Sequence, residues 1–90
     1  MKRPENTVEL KKELNQALDA GELTLGQATR QMRKIVGMTQ KDYARDVLSI
    51  TPRILMAIEN DKGNPTLETL RKIARPFGYE LNFVRKKAKT

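Results

Sequence analysis

The sequence predicts an all-α domain of four to five short helices, with an extra helix at the N-terminus and a short β-strand at the C-terminus. Three observations carry this. Threonines stand ahead of helically spaced apolar residues at Thr7, Thr24, Thr39, Thr51 and Thr66, and a hydroxyl at the N-cap satisfies an amide that the first turn leaves unpaired. Gly21, Gly37 and Gly78 follow such stretches as natural stops. After Gly78 the apolar period changes from about 3.6 residues to 2, the period of a strand.

The first helix starts at Thr7 and runs to about Ala20, with Leu10, Leu14, Ala17 and Leu18 on one narrow face. It is either an accessory or docking helix or a helix that simply packs on the domain. Thr24 and Gln27 have capping-box spacing. They open a helix that turns Leu25, Ala28, Met32, Ile35 and Val36 inward and keeps Arg30, Arg33 and Lys34 elsewhere. Thr39 caps a third helix, with Asp42 placed to favour the helix dipole and Tyr43, Ala44 and Val47 facing inward.

Leu48, Ser49 and Ile50 read as a turn. Thr51 caps the next helix, and Pro52 takes its first position, where a missing N–H costs nothing. That helix runs to about Asn60 with Leu55 and Ile58 inward; residues 61–65 form a turn-rich break. Thr66 caps the last helix, whose Leu67, Leu70, Ile73 and Ala74 share a face, and Arg75, Pro76, Phe77 and Gly78 end it.

In the terminal segment Tyr79, Leu81 and Phe83 alternate with Glu80, Asn82 and Val84. The rest of the chain offers such a strand no partner, so the same strand of a second copy is the expected one, across a two-fold axis. The organisation is thus an N-terminal accessory helix (1–22), a central helical domain (23–78), a dimerisation strand of Tyr79, Leu81 and Phe83 within 79–84, and a basic tail (85–90) with Lys86, Lys87 and Lys89. The tail is either a non-specific arm for DNA or a solubilising end.

Composition narrows the function. The net charge is +7 over 90 residues. Residues 1–22 hold four basic and five acidic side chains, whereas residues 23–90 hold fourteen and six, so the segment with the paired helices and the tail is the part expected to face a polyanion. Without cysteine or histidine there is no disulfide, no thiolate and no usual zinc ligand, and no cofactor or metal is expected. No spacing among the remaining polar side chains suggests a catalytic site, and no glycine-rich phosphate loop exists. No apolar run approaches the roughly 18 residues of a membrane span, and Met1–Asn6 lacks a secretory signal. A cytoplasmic, non-catalytic protein is expected. Two short helices a tight turn apart, in a basic chain, fit a helix-turn-helix whose second helix enters the major groove of double-stranded DNA.

Arg33 ahead of Gly37, then Thr39-Gln40, Ala44, Ile58-Glu59 and Pro65-Thr66-Leu67, make a pattern spread over about 50 residues. In these positions the chain resembles the lambda-repressor/Cro-like helix-turn-helix family, also called XRE. The ending GNPTLETLRKIARPFGYELNFV resembles that of HipB-type antitoxins, in which the terminal strand joins the dimer and the protein both neutralises a kinase toxin and represses its own operon. The resemblance implies that Gln40 hydrogen-bonds a DNA phosphate. It also implies that Arg33 and Glu59 form a buried ion pair tying helix 24–36 to helix 51–60, and that the first exposed turn of helix 51–60, from Pro52 and Arg53, faces the bases.

The chain also departs from the pattern. One extra residue stands between Val47 and Thr51, the usual turn glycine is missing, and the reading helix is apolar. Arg53 is either the one base-reading donor, aimed at guanine, or an exposed arginine at a helix start. Ile54, Met56 and Ala57 offer van der Waals contact to thymine methyls, or form a patch awaiting a partner. Thr51, Lys41 and Arg45 are further candidates for DNA contact, as are Lys62 and Asn64 on the flanking phosphates; solvated surface is the alternative for these charged and polar side chains.

The leading expectation is a homodimeric, autoregulatory repressor on a palindromic operator, with a protein toxin, of kinase type by resemblance, as its second partner. The alternatives are a protein-interaction module with weak non-specific DNA binding, or a phage-type or controller regulator without a toxin.

Overall fold

The computed structural model describes residues 6–85, and among these the chain is all-helical, with no strand. The elements are α1 (Thr7–Asp19), α2 (Leu25–Val36), α3 (Gln40–Asp42), which runs on as a π-helical segment Tyr43–Leu48, α4 (Pro52–Glu59) and α5 (Leu67–Ala74) with a closing 3-10 turn, Arg75–Phe77. Four helix starts rest on threonine hydroxyls: Thr24 accepts from the Gln27 amide at 3.1 Å, Thr39 from Asp42 at 3.1 Å, Thr51 from Ile54 at 3.2 Å and Thr66 from Thr69 at 3.1 Å. The Gln27 side chain returns the favour to the Thr24 amide at 2.9 Å, completing the capping box. Helix α1 differs: Asn6 is its N-cap, without a side-chain bond, and Thr7 is its first helical residue.

The core gathers Leu14 of α1, Ala28, Met32 and Ile35 of α2, Tyr43, Ala44 and Leu48, then Leu55, Ile58 and Ile73. Leu14 is fully buried, so α1 is fastened to the same core as the rest.

Three apolar residues expected inside lie outside. Leu25 and Leu67 are 48% and 55% exposed. Each is the first residue of its helix, and helical side chains lean towards the N-terminus, so these two overhang the helix end instead of covering its inner face. Val47 is also exposed, while Leu48, expected in the turn, is buried. The helix widens here into a π-helical stretch, which rotates the following positions and brings Leu48 round to the core. Ser49 then turns the chain in the left-handed region, at φ 56°, where a glycine would usually stand. Its amide and that of Ile50 both close on the Ala44 carbonyl.

Beyond Gly78 the expected strand is not formed among the described residues. Tyr79, assigned to a pairing face, folds back on its own chain. Its ring stacks on Phe77 at 6.1 Å between centroids, its hydroxyl donates to Asn15 Oδ1 at 2.5 Å, and its amide donates to the Ala74 carbonyl. Leu81 and Val84 are exposed and Phe83 is fully so. A lone segment has no ladder to join, so strand geometry here needs a second chain. The tail of Lys86, Lys87 and Lys89 lies outside the described residues. No helix among them is long and apolar enough to cross a membrane.

Candidate nucleic-acid interface

The eight residues of α4 divide cleanly. Leu55, Ile58 and Glu59 are buried, while Arg53, Ile54 and Met56 face solvent and Ala57 is half-buried between them. The outward strip is therefore one cation among apolar side chains, held on a helix whose inner side is packed.

That inner side is pinned by one carboxylate. Arg33 grips Glu59 with two bonds, Nε to Oε2 at 2.8 Å and Nη2 to Oε1 at 3.1 Å, and spends its third nitrogen on the Met38 carbonyl at 3.0 Å. Gln40 donates its side-chain amide to Glu59 Oε1 at 3.1 Å. Arg30 adds a longer contact at 3.5 Å and donates to the Glu59 carbonyl and to Asn60 Oδ1. Helices α2 and α3 thus meet on the last residue of α4. Burial pushes the Glu59 pKa up, but the bonds from Arg33, Gln40 and Arg30 and the charge of Arg33 outweigh it and hold the carboxyl below its ordinary value. Tyr43 lies near this pair and is fully buried, with no hydrogen-bond partner for its hydroxyl among the described residues. Its burial, reinforced by the Glu59 charge against the opposing effect of Arg33, pushes the phenol up to about 12.

A second carboxylate fastens the other end of the α2–α4 contact. Asp61, in the left-handed region at φ 56°, accepts from Thr24 Oγ1 at 2.7 Å and from the Gly26 amide at 2.8 Å. An acceptor at this place satisfies one of the N-terminal amides of α2 and suits its dipole.

The candidate DNA-contacting residues do not form one surface cluster. Ile54, Ala57, Lys62 and Asn64 line one groove between α4 and the loop before α5. Arg45, Thr51 and Ile54 share a shallower one with Ser49, Ile50 and Lys72. Gln40 sits in the buried network with Arg33 and Glu59, so its amide is already committed in part to Glu59 and is not simply aimed outward. Lys41 is exposed on α3 and Arg53 on α4.

Several participants are not legible beforehand. Arg30 and Asp61 act through contacts at long sequence separation, and the Met38 carbonyl through a bond to Arg33 across the helix end. Lys72 also acts at long separation, its ammonium donating to the Ser49 carbonyl at 3.3 Å. The doublet of arginines on α2, Arg30 and Arg33, facing a lone Glu59 is the one signal of this network in the sequence.

Residues 30–84 match a family model described as Helix-turn-helix. No curated protein and no solved structure matches the chain.

Proposed function

The chain belongs to the XRE-type helix-turn-helix family of DNA-binding transcription regulators, which is not a catalytic family, and from that premise we infer that it is a sequence-specific repressor reading DNA with α4. The observation that supports this most is the division of α4 into a locked inner side and an exposed outer strip. A reading helix needs both, because base edges discriminate only if the helix is held still against them.

In this reading Arg53 donates to guanine O6 and N7. Thr51, Lys41, Arg45, Lys62 and Asn64 meet phosphates beside the groove, and Gln40 offers its second amide hydrogen to another. Two copies on a palindromic operator set their α4 helices about 34 Å apart. The exposed Leu81, Phe83 and Val84 join those copies, Tyr79 remaining on its own chain. By its ending the protein resembles HipB-type antitoxins, so autorepression and capture of a kinase-type toxin complete the proposal, and a toxin gene beside this one is its requirement. Without such a neighbour the protein is a phage-type or controller regulator.

The test is fluorescence anisotropy of the full chain on a duplex from upstream of its own gene and on a scrambled duplex, at two salt concentrations. A preference for the native fragment that survives moderate salt, saturating at two chains per duplex, supports the repressor; saturation at one chain removes the dimer. A second reading, a protein-interaction module, is favoured by the exposure of Ile54 and Met56, at 40% and 50%. Equal binding to both duplexes that vanishes with salt, as phosphate contacts alone do, selects it over the repressor.

A further inference from the structure

Resting on that reading, we propose that the groove beside α4 reads the C5-methyl groups of thymine, so that the operator is chosen chiefly by thymines beside one guanine. The groove runs between α4 and the loop that leads into α5, with a volume of about 200 Å³. Ile54, Ala57 and Ile58 form one wall, and Pro65, Thr66 and Thr69 the other.

Its chemistry is one-sided. The two hydroxyls are bonded to each other at 3.0 Å, and Thr66 also accepts the Thr69 amide, so both serve the α5 cap. The rest of the two walls is aliphatic carbon. In the major groove the one apolar group a base edge presents is the thymine methyl; the other edges present only donors and acceptors. An apolar wall against those strips them of water without replacing their hydrogen bonds, whereas against a methyl it removes apolar surface from water.

Charge names the occupant as DNA and not an apolar peptide. Lys62 and Asn64 line the same groove, Arg53 lies one turn before Ala57, and the chain carries +7 overall. The loop is held close, since a Cβ at Gly63 would stand 3.7 Å from the Ala57 methyl. The groove therefore has a wall on both sides, with the Lys62 cation beside them.

The test uses the full chain and the tightest duplex recovered from a random pool. Each thymine of that duplex is replaced in turn by deoxyuridine, which removes the methyl and nothing else. At the contacted positions affinity falls about fourfold per methyl, while a scrambled duplex is unaffected. Replacing the same thymine by cytosine, with guanine opposite, gives a loss at least as large, and replacing it by 5-methylcytosine restores most of the affinity because the methyl returns without the thymine carbonyl. Deoxyuridine duplexes that bind within twofold of the parent overturn the proposal and leave the repressor standing. A deoxyuridine loss that 5-methylcytosine does not restore overturns it as well, since the carbonyl is then read with the methyl. Failure of the pool to enrich any sequence overturns the DNA-reading function itself.

Discussion

Glu59→Ala is expected to lose about 3–5 kcal/mol of folding stability, a large share of the order of 5–15 kcal/mol available to a small domain. The Glu59 side chain has no exposed surface, and Arg33 beside it is 16% exposed. Truncation removes the shared acceptor of Arg33, Gln40 and Arg30 and leaves a largely buried guanidinium facing carbon. Because those donors come from α2 and α3, the loss also unfastens α4, and specific DNA affinity falls with stability. A thermal melt reads the first effect, as a drop of roughly 15 °C or more; a midpoint within 2–3 °C of the parent contradicts the pinning role.

The pH dependence gives an independent reading. The folded Glu59 pKa lies below its ordinary 4.5, so the stabilisation is fully present above 4.5 and is lost as pH falls through the lower, folded value. Glu59→Gln has no such proton to take up. The gap in stability between it and the parent is therefore constant at neutral pH and narrows below 4.5; a gap that widens in acid contradicts the direction of the shift.

Gly26→Ala is expected to destabilise although it improves the helix. Alanine is favoured over glycine by at most about 1 kcal/mol in a helix interior, and Gly26, the second residue of α2, has no left-handed φ to defend. Space decides the matter. A Cβ there would fall inside the Ile58 carbonyl oxygen and 2.8 Å from both the Glu59 carbonyl and Asp61 Oδ1. Two of these are backbone atoms at the end of α4, so relief requires α2 and α4 to separate, and the Gly26–Asp61 bond goes with them. Overpacking of this kind costs about 1–3 kcal/mol and occasionally more, enough to reverse the propensity gain. Denaturant unfolding measures the sign, with Gln31→Ala on the exposed side of α2 as the comparison. A stabilised Gly26→Ala contradicts the close approach.

These two residues also mark what could and could not be read beforehand. Thr24, Thr39, Thr51 and Thr66 announce helix starts because an N-cap bond spans three residues and depends on little else. Pairing Arg33 with Glu59 needed the family resemblance, since nothing local links positions 26 residues apart. Nothing local marks Gly26, whose role comes from the α4 carbonyls and the Asp61 carboxylate lying across it.

The residues before Thr51 read as a turn, whereas the helix continues there as a π-helical stretch that buries Leu48 and exposes Val47. The terminal segment shows the opposite limit. Its alternation is plain, yet period 2 states only that two faces differ, and Tyr79 used its face to cover Phe77 and reach Asn15.

The measurement that bears most directly on α4 as the reading helix is the affinity of Arg53→Ala for the selected duplex and for a scrambled one, side by side. Arg53 is exposed, with its neighbours Leu55 and Ile58 holding the fold, so the variant keeps its melting temperature. The account predicts a loss of about 1–3 kcal/mol on the selected duplex, relaxed preference at one base pair, and little change on the scrambled one. An equal loss on both makes Arg53 a phosphate contact, and no loss on either contradicts the assignment of base reading to this helix.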